Sequence, residues 1–307
     1  MSVSKTVNDD YPTRNSDSFQ VISRRDPVVY GNSLQLDVLE SDQVKFFEEN
    51  GYLFFPNLFS TKEVSTLSDE LERLSKNKDL KKQEQFVLEP QSGEVRSIFE
   101  VHKNNNLFEK LSKDPRVVNV VRQLLGSDVY ITQSRINRKP GFEGKEFYWH
   151  SDFETWHAED GMPHMRAISC SISLTDNYEF NGPLMVIPGS HKQFISCAGK
   201  TPDNHYQISL KRQEIGTPDK ENLEKMVKQN SIDTAKGPAG SVIFFDCNLM
   251  HGSSGNITPY PRSNVFFVYN SIKNKLEDPF SASKPRPEYI ASREPQVITP
   301  QSLEISI

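Results

Sequence analysis

The chain has 307 residues, 35% of them hydrophobic and 25% charged, with a formal net charge of -5. This length and composition predict a globular protein with a sizeable core, in one large domain rather than several small ones. The negative charge gives no basic field for nucleic acid, and no apolar run is long enough to cross a membrane. The composition therefore excludes proteins that bind nucleic acid through a basic surface and proteins that span a membrane.

The cellular environment is indicated by the start of the chain and by its cysteines. Residues 1–10 carry no apolar stretch of the kind that a secretory signal needs. Cys170, Cys197 and Cys247 are an odd and scattered set, which argues against a disulfide framework and against a cysteine-rich zinc module. We therefore expect a cytoplasmic protein whose cysteines pack as small apolar residues.

The chain divides into three parts by pattern. Residues 1–40 are polar, with scattered prolines and little periodicity, and they predict an irregular N-terminal extension. Residues 273–307 are rich in Pro, Ser and Glu and predict an irregular C-terminal tail. The part between them, residues 41–272, predicts a single domain.

Helices are predicted mainly in the first part of this domain. Residues 41–51 carry helix-spaced apolar positions and end in Asn-Gly, which is typical of a helix stop. A capping box at residues 60–63 opens a second helix. A third begins at Asp114, has a proline in its first turn and stops at Gly126. Residues 218–230 predict a surface helix inserted between strands.

From residue 129 onward the pattern changes to that of strands. Short runs rich in β-branched and aromatic residues are separated by Gly, Pro, Asn and Asp. They predict an antiparallel sandwich or barrel whose one sheet is covered by the preceding helices. The predicted strands are residues 129–136, 168–174, 184–187, 242–245 and 265–269.

A histidine and an aspartate two positions apart, His150 and Asp152, are the first candidate metal ligands. On a strand, positions i and i+2 point to the same face, so both side chains can reach one ion. A third ligand from a distant segment would complete a 2-His-1-carboxylate site, which leaves positions open on Fe(II) for a co-substrate and dioxygen. The pair by itself is a weak signal, because such short patterns occur by chance in many chains.

His251 is the candidate third ligand, because it follows a turn and a buried strand that would deliver it to the strand's end. Arg262 opens the next predicted strand. If these two strands pair as neighbours, Arg262 lies beside the metal, where a guanidinium can hold a dicarboxylate through two parallel hydrogen bonds. Taken alone, Arg262 would be read as a surface charge.

Several segments of the chain resemble the non-haem iron, 2-oxoglutarate-dependent dioxygenases of the phytanoyl-CoA dioxygenase superfamily. They are residues 51–56, the pair His150 and Asp152, residues 181–191 and the segment that starts at His251. A narrower resemblance, to the ectoine hydroxylases within that superfamily, rests on residues 133–141 and 147–169. The similarity extends from about residue 26 to about residue 271, and every expected metal ligand is present.

The resemblance implies a mainly β fold with flanking helices and a jelly-roll, or double-stranded β-helix, core that holds Fe(II) through His150, Asp152 and His251. It implies 2-oxoglutarate as a co-substrate held by Arg262 and Lys139, with dioxygen as the second co-substrate. The implied reaction converts L-ectoine into 5-hydroxyectoine and releases succinate and carbon dioxide. The resemblance also implies a cytoplasmic homodimer that makes a compatible solute for protection against osmotic or heat stress.

Six residues are expected to bind the substrate. By resemblance, Gln133 contacts ectoine, and Trp156, four residues past the aspartate ligand, stabilises it. Ectoine combines a carboxylate with a delocalised cation, so polar donors and aromatic faces suit its pocket. Side chains of those kinds stand at Arg135, Phe99, Phe245 and Phe266. For the three phenylalanines, ordinary core packing is an equally good interpretation. Glu154 is expected to support neighbouring site residues or the fold rather than to be catalytic, because the chemistry needs no general base.

Other classes of protein compete with this hypothesis. A halogenase of the same superfamily would need a small residue in place of the carboxylate ligand, which Asp152 contradicts. A zinc hydrolase could use the same three ligands, but it would not explain Arg262. A non-catalytic jelly-roll binding protein would tolerate loss of the ligands. The strongest competitor is a related hydroxylase acting on another small amino-acid-like solute, such as a proline derivative.

Overall fold

The structure is a computed structural model, and it describes residues 9–31, 33–89, 92–210 and 215–304. In this part of the chain no helix is both long and apolar enough to cross a membrane. The strands are β1 (Gln20–Ser23), β2 (Tyr52–Phe55), β3 (Phe86–Leu88), β4 (Val95–Phe99), β5 (Val129–Lys139), β6 (Phe147–His150), β7 (Ala167–Ser173), β8 (Met185–Val186), β9 (Gln193–Ser196), β10 (Asp233–Thr234), β11 (Val242–Asp246), β12 (His251–Ser253) and β13 (Arg262–Ser271). The helices are α1 (Ser41–Asn50), α2 (Thr61–Lys76), α3 (Val101–Asn104), α4 (Asn106–Ser112), α5 (Pro115–Leu125), α6 (Asp152–Thr155), α7 (Tyr206–Ser209) and α8 (Lys220–Asn230). A π-helical turn, Trp156–Asp160, directly continues α6.

Two antiparallel sheets form the centre of the molecule. The large sheet has the strand order β2-β11-β7-β13-β5-β4-β3, and the small sheet has the order β10-β8-β12-β6. The sheets face each other across a cluster that combines Val186 of the small sheet with Ile243, Phe245 and Phe266 of the large one. This is the predicted jelly-roll core with flanking helices, and the prediction is confirmed.

Strand alternation divides the large sheet into a helix-covered face and a face toward the small sheet. Phe244 and Phe267 pack in the main core with Leu67 of α2 and Val118 of α5. Because side chains of neighbouring residues point to opposite faces of a strand, Phe245 and Phe266 lie instead between the two sheets. The polar residues that share this inner face are therefore directed toward the inter-sheet space.

The helix boundaries follow the local chemistry that the sequence predicts. Gly51 ends α1 with φ of 81°, and a Cβ at this position would collide with the ring of His191. The Ser60 side chain accepts a hydrogen bond from the Glu63 N–H, and the Glu63 carboxylate accepts one from the Ser60 N–H, so the predicted capping box opens α2. Gly126 ends α5 in the left-handed region. The predicted helices are confirmed, including the surface helix α8.

The two terminal segments are packed more closely than their composition indicates. The N-terminal extension contains β1, which pairs with β9 outside both main sheets, and it buries Tyr11 and Arg14. Its predicted irregularity is wrong over these strand residues, because the pairing depends on β9, where the partner of Gln20 is Ser196, 176 positions away in the sequence. The described tail, residues 273–304, has no helix or strand but buries Arg286 and Ile290. The division of the chain after residues 40 and 272 stays a prediction.

The three cysteines are buried and free. Burial raises the pKa of the Cys170 and Cys247 thiols well above the usual value. Thiols in such surroundings are inert, so the predicted packing role is confirmed.

Candidate active site

Three side chains of the predicted set converge at the inner edge of the small sheet. His150 is the last residue of β6, His251 is the first of β12, and the register between these strands pairs the two histidines. Asp152 is the first residue of α6. The Asp152 oxygens lie 3.6 Å from His150 Nε2 and 3.8 Å from His251 Nε2, and one ligand atom from each residue lies within 4.8 Å of the others. These spacings suit three ligands of a single metal ion.

The route by which Asp152 reaches the site differs from the prediction. We expected His150 and Asp152 on one strand, with side chains on the same face. Instead β6 ends at His150, Ser151 is the extended residue before a helix, and Asp152 begins that helix. The turn of the chain, rather than strand alternation, brings the carboxylate to the histidines.

The hydrogen bonds of both imidazoles leave Nε2 available for a metal. Nδ1 of His150 donates to the Tyr148 carbonyl at 2.6 Å, and Nδ1 of His251 donates to the Leu249 carbonyl at 2.9 Å. A carbonyl partner on one ring nitrogen fixes the tautomer in which the other nitrogen carries a free lone pair. Burial, reinforced by the neighbouring His150, lowers the pKa of His251 to about 4, so its ring is neutral.

The carboxylate of Asp152 is held in its ionised form. Burial acts to raise its pKa, but His251, His150 and Arg135 together outweigh burial and hold the pKa well below the usual range. Ser169 of β7 also donates to Asp152 Oδ2 at 3.3 Å. Two imidazoles and one carboxylate form the donor set that suits non-haem Fe(II), so the residues present fit the expected metal.

Arg262 and Lys139 lie opposite each other on β13 and β5 of the large sheet. Arg262 Nη1 donates to the Gly182 carbonyl at 3.0 Å. Nζ of Lys139 donates to Ser253 Oγ at 2.8 Å, and Ser253 is the last residue of the strand that begins at His251. The condition under which Arg262 would return beside the metal, pairing of β13 with β11, is not met, because β7 lies between them in the sheet. Lys139 is connected to the metal-ligand strand across the gap between the two sheets instead.

Both basic side chains are buried without a carboxylate partner among the described residues. Arg262 is 4% exposed and Lys139 is 2% exposed, and the Nε atom of Arg262 has no hydrogen-bond partner in the described structure. Burial lowers the pKa of Arg262 to about 10. Burial, with the charge of Arg262 added to it, lowers the pKa of Lys139 to about 6. Because an unpaired buried charge is costly, this pair fits an anionic ligand such as a carboxylate.

A cleft that is open to solvent at its mouth leads to His150 and Asp152. Four of the six predicted substrate residues line it: Phe99, Gln133, Arg135 and Trp156. Gln133 and Arg135 share one face of β5 with Lys139, as strand alternation requires. Asp152 and Trp156 are one helical turn apart, so both side chains lie on one side of the helical segment.

The other two predicted substrate residues lie behind the cleft wall. The Phe245 ring is 4.9 Å from the His251 ring, and the Arg135 guanidinium lies 5.2 Å from the Phe266 ring centroid. Both phenylalanines belong to the inter-sheet cluster, so core packing, the alternative interpretation, describes their position. Direct contact between either ring and a substrate stays a prediction.

Some residues of the cleft were not found from the sequence. Asn137 lies on the same face of β5 as Gln133 and Arg135, and its i+2 spacing was a usable signal. Arg286 also lines the cleft, but it comes from the irregular tail, where no periodicity points to it. Glu154, which is not expected to be catalytic, forms a buried ion pair with Arg14, with 2.6 Å between Glu154 Oε2 and Arg14 Nη2.

A jelly-roll core with two histidines and one carboxylate converging between its sheets defines the class of mononuclear non-haem iron enzymes. The chain belongs to the phytanoyl-CoA dioxygenase family, whose model matches residues 47–264.

Curated relatives and solved structures agree with that family. The chain is 55% identical over 286 residues to an ectoine dioxygenase of Bordetella bronchiseptica, with 93% of each chain covered. It is 52% identical over 294 residues to an ectoine dioxygenase of Stutzerimonas stutzeri, covering 95% of this chain and 97% of that one. The structure is similar to a crystal structure of EctD from S. alaskensis with 2-oxoglutarate and 5-hydroxyectoine, with a TM-score of 0.87 and 44% identity over 96% of this chain and 98% of that chain.

Replacement of Asp152 by Ala removes the anionic ligand and leaves two neutral imidazoles. We expect iron affinity to fall by more than about 100-fold, because changes to groups that merely orient metal ligands already cost about 10- to 100-fold. Iron retained after gel filtration measures the effect, and Asp69→Ala, at an exposed position on α2, is the matched control. Wild-type iron content in the Asp152 variant would remove this residue from the ligand set.

The pKa of Lys139 makes a pH dependence of co-substrate binding testable. In the ligand-free protein Lys139 is neutral above about pH 6, whereas a bound carboxylate favours the charged ammonium, so binding takes up a proton. We expect 2-oxoglutarate affinity, measured by anaerobic calorimetry with Fe(II), to fall by up to about tenfold per pH unit between about pH 6.5 and 8.5. In Lys139→Met the affinity should be lower and nearly independent of pH over this range. An unchanged slope in that variant would show that another group takes up the proton.

Proposed function

We propose that this protein is a dioxygenase that uses Fe(II), 2-oxoglutarate and dioxygen to convert L-ectoine into 5-hydroxyectoine. The observation that carries the proposal is the convergence of the three metal ligands at the base of a polar and aromatic cleft, with the buried Lys139 hydrogen-bonded to Ser253 on the strand that His251 begins. The same chain is 55% identical to an ectoine dioxygenase over nearly its full length. This combination favours ectoine over other small solutes.

The metal and co-substrate would be held by residues from both sheets. His150, Asp152 and His251 would hold Fe(II), and Arg262 with Lys139 would bind the distal carboxylate of 2-oxoglutarate. When bound, these groups supply the oxidising chemistry, in which dioxygen and 2-oxoglutarate are consumed and succinate and carbon dioxide are released. The protein's contribution is to position the co-substrate, since Lys139 also donates to Ser253 on the strand of His251.

The residues on the cleft wall match the chemistry of ectoine. Arg135 forms no ion pair with any described residue and faces the cleft, where it suits the ectoine carboxylate. The indole of Trp156 offers a face to the delocalised cation. Gln133 and Phe99 complete the wall, and together these groups would present one C–H bond of carbon 5 toward the metal. Phe266 would act indirectly, through its contact with Arg135.

We further propose that the enzyme is a cytoplasmic homodimer that makes a compatible solute during osmotic or heat stress. The resemblance to ectoine hydroxylases supports this assignment, as do the three free and buried cysteines, which suit a reducing compartment. Tyr178, Phe180 and Tyr260 form an exposed aromatic cluster, with ring centroids 5.1 to 5.8 Å apart. Such a patch is the kind of surface that protein partners cover.

The proposed reaction is tested by direct turnover. Purified protein with Fe(II), ascorbate and 2-oxoglutarate should consume ectoine, form 5-hydroxyectoine and release succinate in equal amount. Product formation and succinate are measured by chromatography, with Asp152→Ala as the inactive control and L-proline as the competing substrate. Hydroxylation of proline without hydroxylation of ectoine would assign the protein to the competing class of hydroxylases.

The proposed assembly is tested by sedimentation velocity. We expect a species of about twice the 35.1 kDa chain mass, because homodimers with two-fold symmetry are the commonest oligomers of soluble proteins. The measurement covers protein concentrations from low micromolar to about one hundred micromolar. A monomer throughout this range would reject the homodimer.

A further inference from the structure

Both terminal segments of the chain meet the helical segment that carries Asp152 and Trp156. From the N-terminal side, Arg14 donates through Nε and Nη2 to both oxygens of Glu154, at 2.9 and 2.6 Å. From the C-terminal side, Arg286 donates through Nε and Nη2 to both oxygens of Asp160, at 2.8 and 2.5 Å. Each arginine therefore holds one end of the segment through a two-pronged ion pair.

Glu159 joins the two ion pairs into one cluster. It accepts from Arg14 Nη1 at 2.5 Å, and its other oxygen lies 3.9 Å from Arg286. All five side chains are at most 9% exposed. A buried ion pair of this kind contributes little net stability compared with apolar packing, but its geometry is directional and breaking it leaves an uncompensated charge. The cluster is therefore better suited to fixing a position than to stabilising the fold.

The C-terminal tail also reaches the wall formed by β5. The backbone carbonyl of Ile290 accepts from Gln133 Nε2 at 2.8 Å, and Gln133 Oε1 accepts from Arg135 Nη1 at 2.9 Å. This chain of hydrogen bonds fixes which way the Gln133 amide faces and where the Arg135 guanidinium lies. The tail residues 286–290 thus contact both walls that the proposed substrate would touch.

The two arginines differ in what they would affect. Arg14 pairs with Glu154, two residues from the ligand Asp152, so its loss would disturb the metal as well. Arg286 pairs with Asp160, at the far end of the segment and four residues past Trp156. Arg286 is therefore the residue through which the tail can fix the position of the cleft wall at Trp156 without disturbing the metal ligands.

We propose that Arg286 is a positioning residue: by holding Asp160, it keeps Trp156 against the cleft and sets the affinity for the substrate without contributing to the binding of iron or 2-oxoglutarate. This inference rests on the proposed ectoine hydroxylation. The Arg286 guanidinium already donates to both carboxylate oxygens of Asp160. Its effect on substrate affinity would therefore be indirect, through the position of the helical segment that ends at Asp160.

The test compares Arg286→Gln with Arg73→Gln. Arg73 forms an ion pair with Glu70 on the surface of α2, with its side chain 61% exposed, so the same substitution there removes a pair far from the cleft. In Arg286→Gln, the KM for ectoine should rise by about tenfold or more, since small displacements of positioned groups can cost up to about 100-fold. The dissociation constants of Fe(II) and 2-oxoglutarate should change by less than about twofold, which is below the scale of lost ligand contacts. The Arg73 variant should match the wild type in the KM for ectoine and in the dissociation constants of Fe(II) and 2-oxoglutarate.

A second readout reports on Trp156 directly and needs no substrate. The chain has two tryptophans, and Trp149 packs in a separate cluster with Met226, so a Trp149→Phe background leaves Trp156 as the reporter. Its indole is 4% exposed. We expect its emission to shift to longer wavelength and its quenching by acrylamide to increase in Arg286→Gln, with partial recovery in Arg286→Lys. Asp160→Asn, which keeps the side-chain shape, should change KM and emission in the same direction.

Three results would overturn the inference. The first is an unchanged KM and emission in Arg286→Gln. The second is a raised KM with unchanged emission, which would indicate direct contact of Arg286 with substrate. The third is equal weakening of iron, 2-oxoglutarate and ectoine together with a lowered melting temperature, which would indicate a general structural role. If the wild type fails to turn over ectoine, the proposed function fails, whereas the emission comparison still decides whether Arg286 positions Trp156.

Discussion

The pairing register between β6 and β12 is the constraint on which the site depends. It sets His150 opposite His251, with ring centroids 4.3 Å apart, and the carbonyl partners of both Nδ1 atoms turn both Nε2 atoms to one space. A slip of one residue would send one ring to the other face of the sheet. The end of β6 immediately after His150 is equally necessary, because only a turn at that point can return Asp152 to the same space.

The two sheets contribute different kinds of group to the site. The small sheet contributes the imidazoles, and the inner face of the large sheet contributes the basic side chains of Arg135, Lys139 and Arg262. The described structure places no carboxylate in an ion pair with any of these three side chains, and burial lowers the pKa of each. A fold under selection for stability alone would pair or expose such charges. Their retention is understandable where anionic ligands provide the missing partners, while the apolar core on the opposite face of the sheet stabilises the fold.

The sequence predicted this structure well wherever the signal was local. Helix caps and strand runs placed α1, α2, α5 and the strands β5, β7, β8, β11 and β13 correctly, because each depends on a few adjacent residues. The three predicted ligands lie together in the structure. The errors concern relations between distant segments. The strands β11 and β13 follow each other among the predicted strands, but β7 lies between them in the sheet. Among the described strands, β1 pairs only with β9, which lies far from it in the sequence. Arg286 could not be predicted as a cleft residue, because its position depends on Asp160, 126 positions earlier, and nothing in the composition of the tail signals that contact.

The terminal segments contact the helical segment that carries Asp152 and Trp156, which is too short to be stable without tertiary contacts. The helix α6 has four residues and continues into a single π-helical turn, and helices this short are unstable without tertiary contacts. Apolar packing of Phe153 and Trp156 with Tyr11 supplies part of the free energy that holds it, but apolar contact is not directional. The ion pairs to Arg14 and Arg286 are directional, and they fix the orientation of the segment at each of its ends. Because Asp152 and Trp156 lie on this segment, the regions with the weakest sequence pattern determine how the metal ligand and the cleft wall face each other.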